Sequence, residues 1–340
     1  MAIPTGAIRY NTDSNKMECF NGTKWMQVAV SSPDSGPYGW TIGVFGGGDR
    51  GVFAGRGVPA NSDTMDYITI SIAANAIDFG DLTHVGAYRR GCSSSTRGIF
   101  AQSGVPSGDE NIIEYITMAS TGNAIDFGDH IASSCFANGC GSNETRAVFW
   151  EGTSPSTNVI SYVTIATTGN AKDFGDAAEN TRHTDACGSP TRSFIAGGYL
   201  ANPGGNTDMI QQLNITSKGN AVDFGNCIAG IRGNAACSNS IRACWAAGIN
   251  SSGSVVSDIE TITMSTTGSS VLFGDLTYSN RVEGGGTSSA TRGIFAGGYT
   301  PSNVNNIESI EFASGGRAID FGDRTETGIC GACSSGHGGL

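Results

Sequence analysis

A short motif, Asp-Phe-Gly-Asp or a close variant, returns six times along this chain at nearly constant spacing. Its phenylalanines follow one another at steps of 48, 47, 50, 49 and 48 residues: Phe79, Phe127, Phe174, Phe224, Phe273 and Phe321. A second motif, an arginine followed by a short apolar run, keeps the same period: Arg50, Arg97, Arg146, Arg192, Arg242 and Arg292. A period in the forties built from short β-type runs is typical of propeller blades, because one such unit cannot bury its own apolar face. The repeat therefore predicts an all-β fold, a β-propeller.

Each repeat divides into four predicted strands, which the second repeat illustrates. The strands are a, around Arg90-Gly-Cys-Ser; b, Gly98–Ala101; c, Ile112–Met118; and d, Ala124–Asp129. Apolar residues alternate along strand c, and Gly122-Asn123 forms the turn before strand d. This pattern predicts six four-stranded blades, each of about 48 residues, within residues 43–340.

The ring can close in two ways. A surplus a-type strand, Gly331-Ala-Cys-Ser-Ser, follows the last repeat, while the first repeat has a strand a of its own near residue 43. The surplus strand either pairs into the first blade as a clasp or joins the N-terminal segment in a composite seventh blade. We favour six blades.

Residues 1–30 differ from the repeats and predict a small N-terminal β-meander. Its three strands begin near Ala7, Lys16 and Lys24, and the second turn contains Asn21-Gly22, a strong hairpin signal. Residues 31–42, rich in serine, proline and glycine, are predicted to be a linker. The expected domains are thus the meander (1–30), the linker (31–42) and the propeller (43–340).

Two further sets of repeated residues suggest structural roles. We expect arginines and aspartates to form a ring of ion pairs between blades: Arg97, Arg146, Arg192, Arg242 and Arg292 with Asp78, Asp126, Asp173, Asp223 and Asp320. Cysteine occupies one equivalent position in five repeats: Cys92, Cys140, Cys187, Cys237 and Cys333. We expect these to lie too far apart for disulfides and to serve as small buried residues.

Composition argues against several classes of partner. The net charge is −11 and only 14% of residues are charged, so no basic face is available for nucleic acid or an anionic membrane. No apolar stretch approaches the roughly 20 residues of a membrane span, and the first residues do not resemble a secretory signal.

We find no motif that predicts catalysis, a metal or a cofactor. The four histidines are scattered, and the Asp-x-x-Asp pairs flank Phe-Gly at the end of a strand, where turn capping and ion pairing explain them better than calcium. Cys330-x-x-Cys333 has no histidine placed to complete a zinc site. We therefore expect a protein that is not an enzyme.

The connections between strands suggest a binding face. The a–b and c–d turns are short and uniform, whereas the b–c and d–a loops vary in length and carry aromatic, arginine and histidine side chains. The candidate binding residues on these variable loops are Tyr88, Arg89, His183, Tyr199, Tyr278, Arg281 and Tyr299. Such side chains on a rigid scaffold suit a sugar or a protein surface, although ordinary solvated loops would look the same.

Two stretches resemble known families. Strand b ending in Gly-Gly, as in Ala196-Gly-Gly and Ala296-Gly-Gly, is similar to Kelch repeats, with the Phe of Asp-Phe-Gly-Asp in place of the Kelch tryptophan. The opening segment from Gly6 to Trp25 resembles the attachment segment of virion structural and tail-fibre proteins of tailed bacteriophages. The Asp-Phe-Gly-Asp array is similar to proteins of marine and cyanobacterial phages.

The resemblance implies a virion protein that is assembled in the host cytoplasm, binds other virion proteins through residues 1–35 and forms a homo-oligomer. The leading hypothesis is a structural protein whose propeller recognises a host-surface glycan or protein. The alternatives are a capsid decoration or tail-connecting protein without a receptor, an enzyme acting on polysaccharide, and a cytosolic Kelch-like adaptor.

Overall fold

The structure is a computed structural model that describes residues 4, 7–11, 16–20, 23–27, 49–56, 60–86, 88–101, 111–131, 139–151, 157–200, 202–278, 283–299 and 302–336. These residues form β-strands and no helix, which confirms the all-β prediction. The chain divides into two compact units, residues 1–45 and 46–340. The predicted linker at 31–42 and the strand expected near residue 43 lie outside the described residues.

The strands of the first half follow the predicted order. The N-terminal antiparallel sheet contains β1 (Ile8–Asn11), β2 (Lys16–Phe20) and β3 (Trp25–Gln27). The first repeat contains β4 (Arg50–Arg56), β5 (Ser62–Thr69) and β6 (Ile77–Gly86). The second contains β7 (Arg90–Ser93), β8 (Arg97–Ala101), β9 (Ile112–Thr117) and β10 (Ile125–Asp129). The third contains β11 (Cys140–Ser142), β12 (Arg146–Trp150), β13 (Val159–Thr164) and β14 (Lys172–Asp176).

The second half adds short accessory strands to the same pattern. The fourth repeat contains β15 (Thr181–Arg182), β16 (Ala186–Gly188), β17 (Arg192–Ala196), β18 (Tyr199–Leu200), β19 (Gly205–Asn206), β20 (Met209–Asn214) and β21 (Val222–Asn226). The fifth contains β22 (Ile231–Arg232), β23 (Ala235–Ser238), β24 (Arg242–Asn250), β25 (Val255–Thr263) and β26 (Val271–Asp275). The sixth contains β27 (Gly285–Ser288), β28 (Arg292–Ala296), β29 (Asn306–Glu311) and β30 (Ile319–Asp323), and β31 (Gly331–Ser334) follows it.

The main strands of each repeat form one antiparallel sheet in chain order, and the last strand completes the first sheet. The accessory strands β15, β18 and β19 of the fourth repeat form a small sheet of their own. In the second repeat the order is β7, β8, β9 and β10, and the other repeats follow it. Strand β31 pairs antiparallel with β4, with Gly331 opposite Ala54 and Ser334 opposite Gly51. The first strand of the first sheet therefore comes from the C-terminal end of the chain.

The apolar core lies between neighbouring sheets, where the repeated aromatic residues meet. The strand-b residues are buried throughout: Phe53, Phe100, Phe149, Phe194, Trp245 and Phe295. Five of the six motif phenylalanines are also buried, and Phe273 packs against its cluster while partly buried. Phe321 and Phe53 share one cluster, so the sixth sheet also packs on the first. Burial of each such ring contributes about 1.5–3 kcal/mol to the free energy of unfolding.

The Phe-Gly motif joins each sheet to the turn of the next repeat. Between the first two repeats, Gly122 N donates to Phe79 O and Ala124 N donates to Asp81 O, both at 2.8 Å. The same backbone contacts recur along the chain, and Ala76 N donates to Asp323 O at 2.8 Å, which links the sixth repeat to the first. The motif therefore forms part of a strand in one repeat and also binds the turn of the next repeat.

The predicted ring of arginine–aspartate pairs is wrong. Each arginine instead donates through Nη1 to the carbonyl of the residue directly after the third strand of the following repeat, at 2.6–2.9 Å: Arg50 to Met118, Arg97 to Ile165, Arg146 to Ile215, Arg192 to Met264, Arg242 to Phe312 and Arg292 to Ile70. That carbonyl is available because its residue has left the strand ladder. The aspartates before each motif Phe are exposed: Asp78, Asp126, Asp173, Asp223 and Asp320.

The first strands of neighbouring sheets lie closer together than the sequence suggested. Serine hydroxyls donate to the carbonyl of the preceding first strand at five junctions, for example Ser142 Oγ to Ser93 O at 2.8 Å and Ser238 Oγ to Gly188 O at 2.7 Å. Cys92 and Cys140 form a disulfide, with Cα atoms 5.6 Å apart. The expectation that equivalent cysteines lie too far apart is therefore wrong for this pair, because the small residues of these strands let the backbones approach closely.

Candidate functional site

One position in the repeat adopts an unusual backbone conformation. It lies four residues before the repeated cysteine or its threonine equivalent, and it is in the left-handed region in four repeats: Tyr88 (φ 52°), His183 (φ 60°), Gly233 (φ 72°) and Glu283 (φ 62°). Residues other than glycine rarely adopt this conformation, and when they do they cluster at functional sites. The repeat thus presents a different side chain, Tyr, His or Glu, from the same place in different sheets.

Buried polar groups fix the loops that lead to this position. A carboxylate or amide on the third strand of one repeat accepts a backbone N–H from the segment that follows the motif of the preceding repeat. The bonds are Glu114 to Thr83 (2.6 Å), Gln211 to Ala178 (2.8 Å), Glu260 to Ile228 (3.0 Å), Glu308 to Thr277 (2.6 Å) and Asp66 to Thr325 (2.8 Å). These bonds satisfy buried groups and hold the loops in place.

The unusual side chains line one cavity of about 390 Å³. Its other walls come from Arg182, Arg232 and Ile329, and from three residues at equivalent positions, each seven residues after the repeated arginine. The lining residues are Tyr88, Arg182, His183, Tyr199, Arg232, Gly233, Ile249, Glu283, Tyr299 and Ile329. A cavity of this size with aromatic walls and a few polar groups is typical of small-ligand sites.

A buried ionic network supports one wall of the cavity. Arg90 Nη2 lies 2.9 Å from Glu283 Oε2, and His183 Nδ1 lies 2.6 Å from Glu283 Oε1. Burial tends to raise the pKa of Glu283, but the hydrogen bond from His183 and the charge of Arg90 outweigh it and lower that pKa. Glu283 is therefore ionised and fully engaged by its two neighbours.

Asp185 lies behind this network on the other side of Arg90. Its Oδ1 is 3.8 Å from Arg90 Nε and accepts the N–H of Ala186, while Oδ2 accepts the N–H of Ala236 at 3.1 Å. Burial raises the pKa of Asp185 to about 6, although Arg90 and the two N–H groups oppose the change. This carboxyl anchors the first strands beneath the cavity and does not line it.

Two arginines of the cavity have a different environment. The guanidinium carbons of Arg182 and Arg232 lie 5.2 and 4.9 Å from the centre of the Tyr199 ring, within cation–π distance. Both side chains are half-buried, and Arg182 Nε is buried without a hydrogen-bond partner. Among the residues that the structure describes, no carboxylate lies within 4.0 Å of either guanidinium.

The structure brings together four of the seven candidate binding residues: Tyr88, His183, Tyr199 and Tyr299 line the cavity. Arg89 does not belong to a binding surface, because it is 1% exposed and pairs with Glu114 at 2.7 Å. Tyr278 is 40% exposed and is not among the lining residues, and Arg281 lies outside the described residues.

Sequence reasoning missed Arg182, Arg232 and Glu283. A signal for them existed, since Arg182 and Arg232 occupy equivalent positions directly before the left-handed residue of their repeats. Their shared target, the Tyr199 ring, could not be found from spacing alone.

A scan against known protein families and a search of curated proteins both found no match to this chain. The residues that the structure describes include no helix that could span a membrane. The same residues contain no group of three or more histidine, cysteine, aspartate or glutamate side chains that could hold a metal ion.

Proposed function

We propose that the six sheets are the blades of a closed, Kelch-like β-propeller and that β31 is its clasp. The proposal is supported by the pairing of β31 with β4 and by the hydrogen bonds and apolar contacts between the sixth and first repeats. A closed ring leaves no unpaired inner strand, and it gives the variable loops a rigid support.

We further propose that the chain is a structural protein of a tailed-phage virion whose propeller recognises a glycan on the host surface. Residues 1–30 would attach it to other virion proteins, with oligomerisation through residues 1–35. The support for this part of the proposal is the resemblance of the opening segment and of the repeat array to virion proteins of tailed phages.

The cavity is the observation that carries the binding role. The scaffold residues repeat from sheet to sheet, whereas the cavity fills equivalent positions with Tyr88, His183 and Glu283. A ring with only a structural role does not need different side chains at equivalent positions, whereas binding of an asymmetric ligand does. Tyrosine offers a flat apolar face and a hydroxyl, a combination that suits a sugar ring and its hydroxyl groups.

The test is a glycan-array screen of the full chain with two matched tyrosine variants. Tyr299 lines the cavity and Tyr278 does not, yet both are 40% exposed. We expect the wild type to bind at least one glycan, Tyr299→Ala to weaken that binding about tenfold, and Tyr278→Ala to leave it unchanged. Absence of glycan binding, or equal loss in both variants, would contradict the proposed role.

A further inference from the structure

Short accessory strands place the two cavity arginines. Strand β15 pairs with β18 so that Arg182 lies opposite Tyr199, and β22 pairs with β24 so that Arg232 lies opposite Ile249. In the described residues, the fourth and fifth repeats alone have such strands before the first strand of their sheet. The two guanidiniums therefore approach one aromatic ring from adjacent sheets on rigid elements.

The charge of this pair is not balanced within the described cavity. The ionised Glu283 is already engaged by Arg90 and His183, and Asp185 lies behind Arg90. Two half-buried cations that contact the same Tyr199 ring lose hydration, which costs free energy unless an anion joins them. The chain as a whole carries a net charge of −11, so this positive pair is a local feature of the cavity.

We propose that the cavity binds the carboxylate of an acidic sugar, and that Arg182 and Arg232 are the residues that select it. This inference rests on the proposed glycan-binding function. The planar, forked guanidinium matches a carboxylate with two parallel hydrogen bonds, and its stacking on Tyr199 keeps the fork oriented. Tyr88 and Tyr299 also line the cavity and would form walls for the sugar ring.

The neighbouring Glu283 favours a singly charged ligand group. A carboxylate brings one negative charge to two arginines, whereas a phosphate monoester brings close to two and meets stronger repulsion from Glu283. A sulfate ester is also singly charged, so an experiment must separate it from a carboxylate.

The test compares a carboxylated glycan with its own carboxyl-reduced form. The probes are short oligogalacturonates, sialylated oligosaccharides, their carboxyl-reduced counterparts, and sulfated and phosphorylated oligosaccharides, titrated calorimetrically against the full chain. We expect binding to a carboxylated probe and a loss of at least about tenfold when its carboxyl group is reduced. Arg182→Gln and Arg232→Gln should each weaken binding to the carboxylated probe by about tenfold or more, and should weaken binding to the reduced probe by a much smaller factor.

Two further variants keep the test decisive. Arg232→Lys retains the charge but not the fork, and we expect intermediate binding. Lys172→Gln removes an exposed positive charge outside the cavity and should have no effect. Thermal unfolding of each variant would show whether a loss of binding reflects a loss of fold.

The outcomes distinguish this inference from the function on which it rests. Equal binding of a carboxylated probe and its reduced form, or binding of sulfated or phosphorylated probes alone, would overturn the carboxylate assignment and leave glycan recognition standing. Absence of binding to every glycan would overturn both.

Discussion

At the scale of single residues, the glycine of each Phe-Gly pair is required by the neighbouring repeat. Gly128 has φ 143°, and a Cβ atom there would lie 2.6 Å from the carbonyl carbon of Gly169 in the next turn. Gly169 has a similar φ of 148°, but a Cβ atom on it would meet nothing within 4 Å. Both glycines therefore have a φ that other residues rarely adopt, but only Gly128 lies against the backbone of the neighbouring repeat.

This difference gives a matched prediction. Gly128→Ala should lower the free energy of unfolding by more than about 3 kcal/mol, because it combines an unfavourable φ with a backbone clash. Gly169→Ala should cost only about 1–2 kcal/mol, from the unfavourable φ alone. Urea denaturation of both variants measures the gap, and equal costs would show that the close contact is not present.

The repeated arginine gives a second prediction. Arg97 donates to Ile165 O at 2.7 Å and lies over the Tyr115 ring at 4.3 Å. Arg97→Gln should therefore lower the free energy of unfolding by about 1–3 kcal/mol. Asp126→Asn should change it by less than about 0.5 kcal/mol, because this aspartate is exposed. A larger loss of stability in Asp126→Asn than in Arg97→Gln would instead support the ring of arginine–aspartate pairs that was predicted from the sequence.

Asp185 gives a prediction for pH. Its pKa is raised from 3.8 to about 6 in the folded protein, so the folded state holds a proton that the unfolded state has released between these values. The stability that this proton contributes is present below about pH 4 and is lost as the pH rises through about 6. Asp185→Asn removes this dependence.

As the pH rises from about 4.5 to about 7, the stability of Asp185→Asn relative to wild type should increase by about 1–3 kcal/mol, because only the wild type loses stability over this range. Denaturant titrations of both proteins at the two pH values measure this change. Any cost of the substitution that does not depend on pH is the same at both values and therefore cancels. A constant difference, or a relative loss at the higher pH, would show that Asp185 is ionised throughout.

At the scale of strands, the period of the sequence made most of the fold predictable. The four strands of a repeat, the turns and the buried aromatic residues follow from local pattern, because alternation and turn residues act over a few positions. The ion pairs did not follow from local pattern. Arg90 and His183 both contact Glu283, although the three residues come from repeats that are far apart in the chain. Arg89, next to Arg90, turns into the core.

The clasp strand gives a prediction at this scale. A chain ending at residue 328 lacks β31 and the buried Ile329, Cys330 and Cys333, whereas a chain ending at residue 336 keeps them. The shorter chain should lose more than about 5 kcal/mol of stability, since several buried side chains and one edge of the first sheet become exposed. The longer one should unfold like the full chain.

Protease susceptibility and urea denaturation of the two truncated chains measure this effect. Equal stability would mean that β31 does not close the first sheet, and would favour the alternative in which it joins the N-terminal segment in a composite seventh blade.

At the scale of the whole molecule, a repeated scaffold carries a candidate site that does not repeat. The Phe-Gly contacts and arginine–carbonyl bonds recur from sheet to sheet, while the cavity combines side chains from several sheets. The sequence indicated the loops that would hold a site, and four of its seven candidates line the cavity. It could not reveal the cavity itself, because that depends on which repeats face one another across the molecule.

The proposed virion role is tested most directly by immunogold electron microscopy, using an antibody against residues 46–340 on phage particles from the source of this sequence. We expect gold label at the tail tip or on fibres, where a glycan receptor would be engaged. Label spread over the capsid would instead indicate a decoration protein without a receptor. Absence of label on every particle would contradict the virion assignment and favour a cytosolic adaptor.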